Sequence, residues 1–467
     1  MKTFRLYNTL TKKAEEYDPQ NRDIINIYSC GPTVYDHSHL GHARSSITWD
    51  FIVRFLRFLN YQVVWTRNVT DIDDKIINKA KELKKHPLEI ARIFSISYHE
   101  DMLALNVSEP DYEPRATEYI FHMKNIIDSL IAQKHAYQIE NDIYFSVATF
   151  KNYGLLKGQS ISELEKGFGR IEPNPKKNHK LDFALWKGTK DNNEYGFESA
   201  WGKGRPGWHI ECTSMCDAIY NGHLDLHCGG DDLIFPHHEN EIAQFESINK
   251  LFPFARYWLH NGMIMVDSKK MAKSEGNFIT IKDALRETSA NAIRFFILNS
   301  HYRMPLNYTH EGILSAQNGI NRLKEALSLS LPDVTYLENS SNVYNSKNEY
   351  IEEFTTVMSD DFNSPQALAI LFKLTDRINT EKIEKTKHEL QRTLLYLSTT
   401  LGFNLIKETK IPDKTFSDIV ENLILWRFEC KSNKDFKTAD KIRELLTSCK
   451  IEVKDLPENR YKWQIKT

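Results

Sequence analysis

The sequence predicts an α/β protein: a Rossmann-like parallel-sheet catalytic domain with an insertion, followed by an α-helical bundle and a small C-terminal module. Three observations carry this. A strand, an amphipathic helix and a second strand follow one another between residues 24 and 69; strand and helix signals resume after 205; beyond about 310 apolar residues recur almost throughout at helical spacing. The chain has 467 residues, 41% of them hydrophobic and 27% charged, which is enough for three or four domains.

The stretch "IINIYSC" (24–30) reads as a short buried strand and "GPTVYD" as a turn. In "HSHLGHARSSITWDFIVRFLRFLNY" the apolar Phe51, Phe55 and Phe58, with Ile52, Leu56 and Leu59 beside them, repeat at helical spacing. "QVVWTRNV" (62–69) is β-branched and alternating. Strand, crossover helix and strand imply a parallel sheet with its chemistry at the carboxyl edge, around 30–44 and just past 69. Thr70 or Asp71 is placed to cap the helix that follows in "TDIDDKIINKAKEL".

Between 115 and 200 a helical stretch, a hairpin around "NDIYFSV" and the polar "RIEPNPKKNHK" read as an insertion. "WHIECTSM", with "WHI" strand-like, then "LDLHCGGDD" and "PHHENEIAQFESI" complete the sheet. The expected organisation is residues 1–115 and 206–255 for the two halves of the catalytic domain, 116–205 for the connective insertion and 256–310 for a lysine-loop region. A helical bundle over 311–405 and a C-terminal module over 406–467 follow, joined near 406–415.

No run of eighteen apolar residues occurs and "MKTFRLYNTL" lacks the core of a signal peptide, so a soluble, cytoplasmic protein is expected. Six cysteines are too sparse for a disulfide framework; in a reducing compartment they read as ligands, catalytic groups or packed thiols. A net charge of −2 provides no global attraction for nucleic acid, so RNA contacts must rest on local patches.

Two constellations carry chemistry. His39 and His42 flank Gly41 where a strand hands over to a helix, so backbone N–H groups, helix dipole and imidazole donors meet at a phosphate-binding corner. "DSKKMAKSEGNF" (267–278) sets Lys269, Lys270 and Lys273 among small and polar residues. Lys270 to Ser274 resemble the KMSKS loop of class I aminoacyl-tRNA synthetases, and His39 to His42 resemble their HIGH motif, in the family's order. "YSCGPTVYDHSHLGHAR", "NVTDIDDKI", "DFALWK", "GRPGWHIECT", "GGDDLIFPHHENEIAQ", "WLHNGMIMVDSKKMAKSEGNF" and "YRMPLNY" narrow the resemblance to cysteinyl-tRNA synthetases over most of the first 310 residues. "DDFNSPQAL" in the bundle is similar but looser.

The resemblance implies ATP-dependent activation of L-cysteine and its transfer to tRNA(Cys) by a monomer. Magnesium would bridge the ATP phosphates. His39, His42, Lys270 and Lys273 would stabilise charge on the phosphates and departing pyrophosphate, making 256–310 the KMSKS-loop and stem-contact region. In "FPHHENEIAQ", His237 and Glu241 at i, i+4 face one way on a helix starting after Pro236, while His238 points roughly a hundred degrees away. The residues alone leave Cys30, Cys212, Cys216 and Cys228 open as thiol partners; the resemblance implies zinc held by Cys30, Cys212, His237 and Glu241. Zinc binds a thiolate far better than a hydroxyl, which separates cysteine from serine where pocket size cannot. The insertion is therefore not expected to be a hydrolytic editing site.

Thr70 and Asp71 are expected at the substrate ammonium, Trp208 at the amino-acid pocket wall, and His227, Gly229, Gly230 and Asp231 in an adenosine-facing loop. Cys228 stands there where the family commonly has glycine. In the C-terminal module Lys434, Lys437 and Lys441 read as a basic stripe for phosphates and Trp463 as a platform for an unpaired base; a solvated helix and a packed tryptophan are equal readings. The tail "DLPENRYKW" departs from the family's ending. Two rivals share the same motifs: a ligase coupling cysteine to an amino sugar, and a non-catalytic zinc- and RNA-binding paralogue. The bundle and basic module argue against the first, and the intact nucleotide motifs against the second.

Overall fold

Alternating, β-branched sequence and a helical apolar stripe build the first unit of the catalytic sheet. Strand β1 (Ile24–Ser29) and strand β2 (Gln62–Arg67) pair in parallel, Ile24 opposite Gln62 and Ser29 opposite Arg67. Helix α1 (Leu40–Phe58) connects them, burying Phe51, Phe55 and Leu56. The computed structural model describes residues 3–19, 24–167, 176–191, 194–249, 253–271, 277–327, 348–406, 414–449, 451–456 and 460–465.

The sheet is completed by β3 (Leu224–Gly230) and β4 (Ala255–Asn261), in the order β4-β3-β1-β2 with every neighbouring pair parallel. Two expectations are corrected here. "WHI" is not strand-like: it opens helix α2 (Trp208–Tyr220). Three residues are too few to display a period, and the short strand nearby is Gly204–Pro206, on the other side of Gly207. Nor is Asp71 or Thr70 the cap of helix Asp74–Leu83. Asp73 fills that role by accepting from Lys75 N at 2.8 Å.

Within the insertion, strands Ala136–Ile139, Asp142–Phe145, Phe183–Gly188 and Gly204–Pro206 form an antiparallel sheet. Helix α3 (Glu239–Ile248) follows β3, and helix α4 (Ala290–Leu298) precedes the bundle helices His310–Leu327, Glu349–Met358, Ser364–Thr380 and Glu384–Thr400.

One buried ion pair ties these layers together. Arg294 on α4 meets Asp50 on α1 at 2.7 Å, both side chains being wholly buried. Its Nη1 and Nη2 also donate to Leu401 O (3.1 Å), Leu105 O (3.1 Å) and Asn106 O (2.7 Å). Arg44, also on α1, donates to Ile297 O, His301 O, Tyr302 O and Met304 O at 2.7–3.1 Å. Single guanidinium groups thus bind several carbonyls at once, at helix ends and in the loop after α4.

The chain divides into two compact units, 1–405 and 406–467. In the second, helices Lys414–Ser432 and Phe436–Ser448 and a hairpin of Ile451–Leu456 and Arg460–Ile465 enclose Val420, Ile424, Ile442 and Leu446. Trp463 packs partly buried against this core, 6.4 Å from the Phe416 ring. Lys437 and Lys441 are exposed on one helix, whereas Lys434 precedes it at φ +62°. The three lysines therefore do not make a single helical stripe. Among the described residues no helix is long and apolar enough to cross a membrane.

Candidate active site

A cavity of about 400 Å³ opens at the carboxyl edge of the sheet, lined among others by Cys30, His39, His42, Trp208, Gly230 and Asp231. His39 is the N-cap of α1. Its Nδ1 accepts from Gly41 N (3.0 Å), while His42 Nδ1 accepts from His39 N (3.3 Å), and the two rings stack with centroids 3.9 Å apart. An imidazole whose Nδ1 accepts a backbone N–H carries its proton on Nε2. Both histidines are therefore Nε2–H donors. Burial, and then His39 beside it, hold the His42 pKa well below the ordinary range, so it is a neutral donor at pH 7. Gly41 is dictated by this packing, because a Cβ there would lie 2.7 Å from His39 Cε1.

The lysine loop is stitched to the same corner. Leu40 N donates to Ile279 O (3.1 Å) and Ile281 N to Ser38 O (2.9 Å), while Met271, at the loop's other end, lines the cavity. The Lys270 backbone pairs with Met265 in a short hairpin. The Lys270 side chain and residues 272–276, including Lys273, lie outside the described residues.

The second cluster sits beside Cys30. Cys30, Cys212, His237 and Glu241 each offer one donor atom, all within 4.8 Å of one another. Cys30 follows β1; Cys212 projects from α2, not from a strand end; His237 lies in the single turn Ile234–His238, and Glu241 in α3. The set has the chemistry of a metal centre. The two sulfur atoms are 4.0 Å apart, far beyond a disulfide bond. Two thiolates on one tetrahedral zinc at ~2.3 Å would be about 3.8 Å apart. His237 Nε2 approaches Glu241 Oε1 at 3.0 Å, yet Oε1 has no aligned hydrogen-bond donor. Two donor atoms thus abut within the four-atom set, as ligands of one cation do.

Neighbouring groups orient this set. His237 Nδ1 lies 3.1 Å from His209 Nδ1, and Glu241 Oε2 lies 2.7 Å from His227 Nε2. Burial opposes charge on Glu241, but His227 and His237 hold its pKa down to about 2. Burial likewise opposes charge on His237, which Glu241 and then Cys212 hold up to about 10. The Cys212 thiol is drawn down to about 6, chiefly by its contact with Cys30.

His238 does not look away from the cluster as helical period suggested. Its Nε2 lies 3.2 Å from Cys30 Sγ, and Cys30, His227, His238 and Glu241 form a second donor set of the same dimensions. The reason is local: residues 234–238 form a wide turn, not the start of an α-helix, so angles of 100° per residue do not apply. His238 Nδ1 is in turn 2.8 Å from His260 Nε2. A glycine at 229 is required beneath this ring, since a Cβ would stand 2.6 Å from His238 Cε1. Glu239 does turn elsewhere, accepting from Gly154 N and Lys157 N. Replacing His238 by alanine is therefore expected to weaken metal binding at this set about 10- to 100-fold, as loss of an outer hydrogen-bond partner does. Competition with a calibrated chelator measures this.

Other expected residues are distributed differently. His227 is buried behind the cavity, stacked on Trp258 at 4.4 Å and bonded to Glu241, so it supports the cluster and does not face adenosine. Gly230 and Asp231 do line the cavity. Trp208 lines its wall and stacks on His237 with centroids 4.1 Å apart. Asp71 accepts from Thr117 N (2.9 Å) and Thr117 Oγ1 (2.6 Å), anchoring the turn Ala116–Tyr119. Thr70 Oγ1 donates to Glu211 Oε2 at 2.8 Å. Sequence reasoning missed His209, His260 and Glu211. Reading 208–220 as helix would have put His209 and Cys212, three residues apart, on one face.

Parallel sheet, histidine-capped helix and lysine loop define a class I aminoacyl-tRNA synthetase. The family "tRNA synthetases class I (C) catalytic domain" matches residues 16–318, and "DALR domain" matches 353–405. Among solved structures, the methionyl-tRNA synthetase of Mycobacterium tuberculosis with methionyl-adenylate has a TM-score of 0.56 at 14% identity, covering 81% of this chain and 89% of that one. A putative arginyl-tRNA synthetase of Campylobacter jejuni has a TM-score of 0.52 at 14% identity, covering 82% and 92%. These likenesses concern the fold. The proteins named cysteine–tRNA ligase of Geobacillus thermodenitrificans and Thermococcus onnurineus are each 42% identical, over 98% and 97% of this chain and 98% of their own length. The chain belongs to the cysteine–tRNA ligase family.

Proposed function

We infer that the protein activates L-cysteine with ATP to cysteinyl-adenylate and transfers the cysteinyl group to tRNA(Cys), with one zinc ion selecting the substrate. The observation that carries this is the Cys30, Cys212, His237 and Glu241 donor set, whose Cys30 lines the cavity that the His39 and His42 pair also lines. When bound, zinc supplies a borderline-soft centre at which a thiolate is favoured over a hydroxyl. His209 and His227 fix the orientation of His237 and Glu241 around it.

In the activation step an oxygen of the cysteine carboxylate attacks the α-phosphorus, the bond to the bridging oxygen of the β-phosphate breaks, and pyrophosphate leaves. A ribose hydroxyl at the tRNA terminus then attacks the carbonyl and AMP departs. Such transfers need positioning and charge stabilisation more than covalent help. His39 and His42 donate Nε2–H groups to the phosphate oxygens, and Lys270 and Lys273 neutralise departing charge carried with the substrate's magnesium. Gly230 and Asp231 sit on the nucleotide side of the cavity. The match over the whole chain favours tRNA over an amino sugar as acceptor, and the DALR region with the C-terminal unit offers it surface.

The test is cysteine-dependent ATP–pyrophosphate exchange on the metal-loaded protein, repeated after treatment with a zinc chelator, followed by charging of purified tRNA. Exchange is expected with cysteine, not with serine, and is lost on chelation; exchange that survives complete zinc removal overturns the reading. In the same assay Lys273→Ala is expected to lower the rate about 100-fold or more with little change in the cysteine KM. An unchanged rate would remove Lys273 from the mechanism.

A further inference from the structure

The donors His237 and Glu241 belong to a stretch with little regular structure of its own to fix them. Residues 234–238 make one wide turn, and Phe235 within it is extended (φ −141°, ψ 131°), so the hydrogen bonds of an α-helix do not run through it. What packs against such a turn decides where it stands. On one side are Trp208, His209 and His260. On the other is the insertion.

One short loop of the insertion, residues 153–157, supplies four contacts. The Tyr153 ring meets the Phe235 ring edge-on, with centroids 6.1 Å apart, and its hydroxyl donates to Asn240 Oδ1 at 2.5 Å. Gly154 N donates to Glu239 Oε1 at 2.8 Å and Lys157 N to Glu239 Oε2 at 3.1 Å, on a carboxylate with no exposed surface. The contacted residues 235, 239 and 240 thus interleave with the metal donors 237 and 241. The loop itself is firm. Gly154 holds φ +97°, Gly158 N donates back to Gly154 O at 2.7 Å, Leu156 is buried, and Lys12 Nζ donates to Lys157 O at 2.9 Å. A firm loop that grips a wide turn before and after its donors sets the position of those donors.

We propose that Glu239 is a positioning residue for the metal centre: through it the loop 153–157 places His237 and Glu241, and the insertion thereby serves cysteine selection as a scaffold. This rests on the cysteine-activating reading above and deepens it, by giving the insertion a task at the thiol end of the cavity. The phosphate-binding corner is held by other segments, with Leu40 N on Ile279 O and Ile281 N on Ser38 O. Loosening the loop should therefore be felt by cysteine and not by ATP. Each Glu239 oxygen faces an N–H group, so a glutamine there would turn its own amide hydrogens against one of the two.

The experiment uses the full-length protein. Zinc affinity is read by competition with a calibrated chelator in the absence of substrates, and the KM values for cysteine and ATP by pyrophosphate exchange on the zinc-loaded form. Glu239→Gln is expected to weaken zinc binding about tenfold or more and to raise the cysteine KM by a similar factor, while the ATP KM moves by less than about twofold. Tyr153→Phe, made on the insertion side, should give the same split at about threefold, the loss of one hydrogen bond. Combined, the two should fall short of the product of their separate effects, because both act through one loop. Should Glu239→Gln fail to fold, Tyr153→Phe alone must show the split. Unchanged zinc affinity, an ATP KM that rises along with the cysteine KM, or fully multiplicative effects would each overturn the proposal with the cysteine-activating reading intact. A wild-type protein without cysteine-dependent exchange would instead overturn that reading itself, and the zinc competition would still decide the part played by the loop.

Discussion

Replacing His237 by alanine is expected to remove bound zinc and to lower cysteine-dependent exchange by more than about 100-fold, exceeding the loss typical of an outer-sphere partner. The cause is local. His237 Nε2 is one of four donor atoms, and its neighbour Glu241 is wholly buried, with His227 on one oxygen. Without the imidazole three donors remain of the four that this centre offers a zinc ion. Metal analysis and exchange measured on the same preparation make the check. Zinc retained at one equivalent, with exchange intact, would exclude His237 from the centre.

The largest stability effect is expected at a distance from the chemistry. Asp50→Ala leaves the Arg294 guanidinium buried without its carboxylate, which costs about 3–5 kcal/mol. A lowered denaturant midpoint, at unchanged slope, would register it. Removing both partners with apolar residues of similar volume should recover much of that loss, because the desolvation of each ion is then avoided. The pair also sets a pH dependence. Burial opposes charge on Asp50, but Arg294, Arg54 and the Ser108 N–H outweigh it and lower its pKa below the ordinary 3.8. A depressed carboxylate contributes stability above that ordinary value and loses it as pH falls through the folded-state pKa. Asp50→Ala should therefore flatten the acid limb of the stability profile.

Much of this was legible in the residues because the signals were periodic. Phe51, Phe55 and Phe58 announced α1, and β-branched alternation announced β2, since burial of one face imposes those spacings. What failed were short stretches and contacts at a distance. Trp208 to Ile210 gave no period, so α2 was misread and the His209 contact with His237 went unseen. His238 was misdirected by assuming regular helix through a wide turn. Asp71 and Glu211 show the limit most clearly. Both carboxylates lie near the site in sequence, and only the tertiary structure pairs one with Thr117 and the other with Thr70. The four-donor metal set came from resemblance, because spacing alone could not choose among the cysteines.

The imidazole pair that caps α1 also bears on how the cleft empties. Because each ring spends Nδ1 on a backbone N–H and His42 stays uncharged, ATP meets two neutral donors there, not two cations. Nucleotide entry then takes up no proton at His42. Pyrophosphate, more highly charged than the group it leaves, meets no imidazolium at His42 to detain it. A pair of lysines in the same two places would set two fixed cations against the product instead.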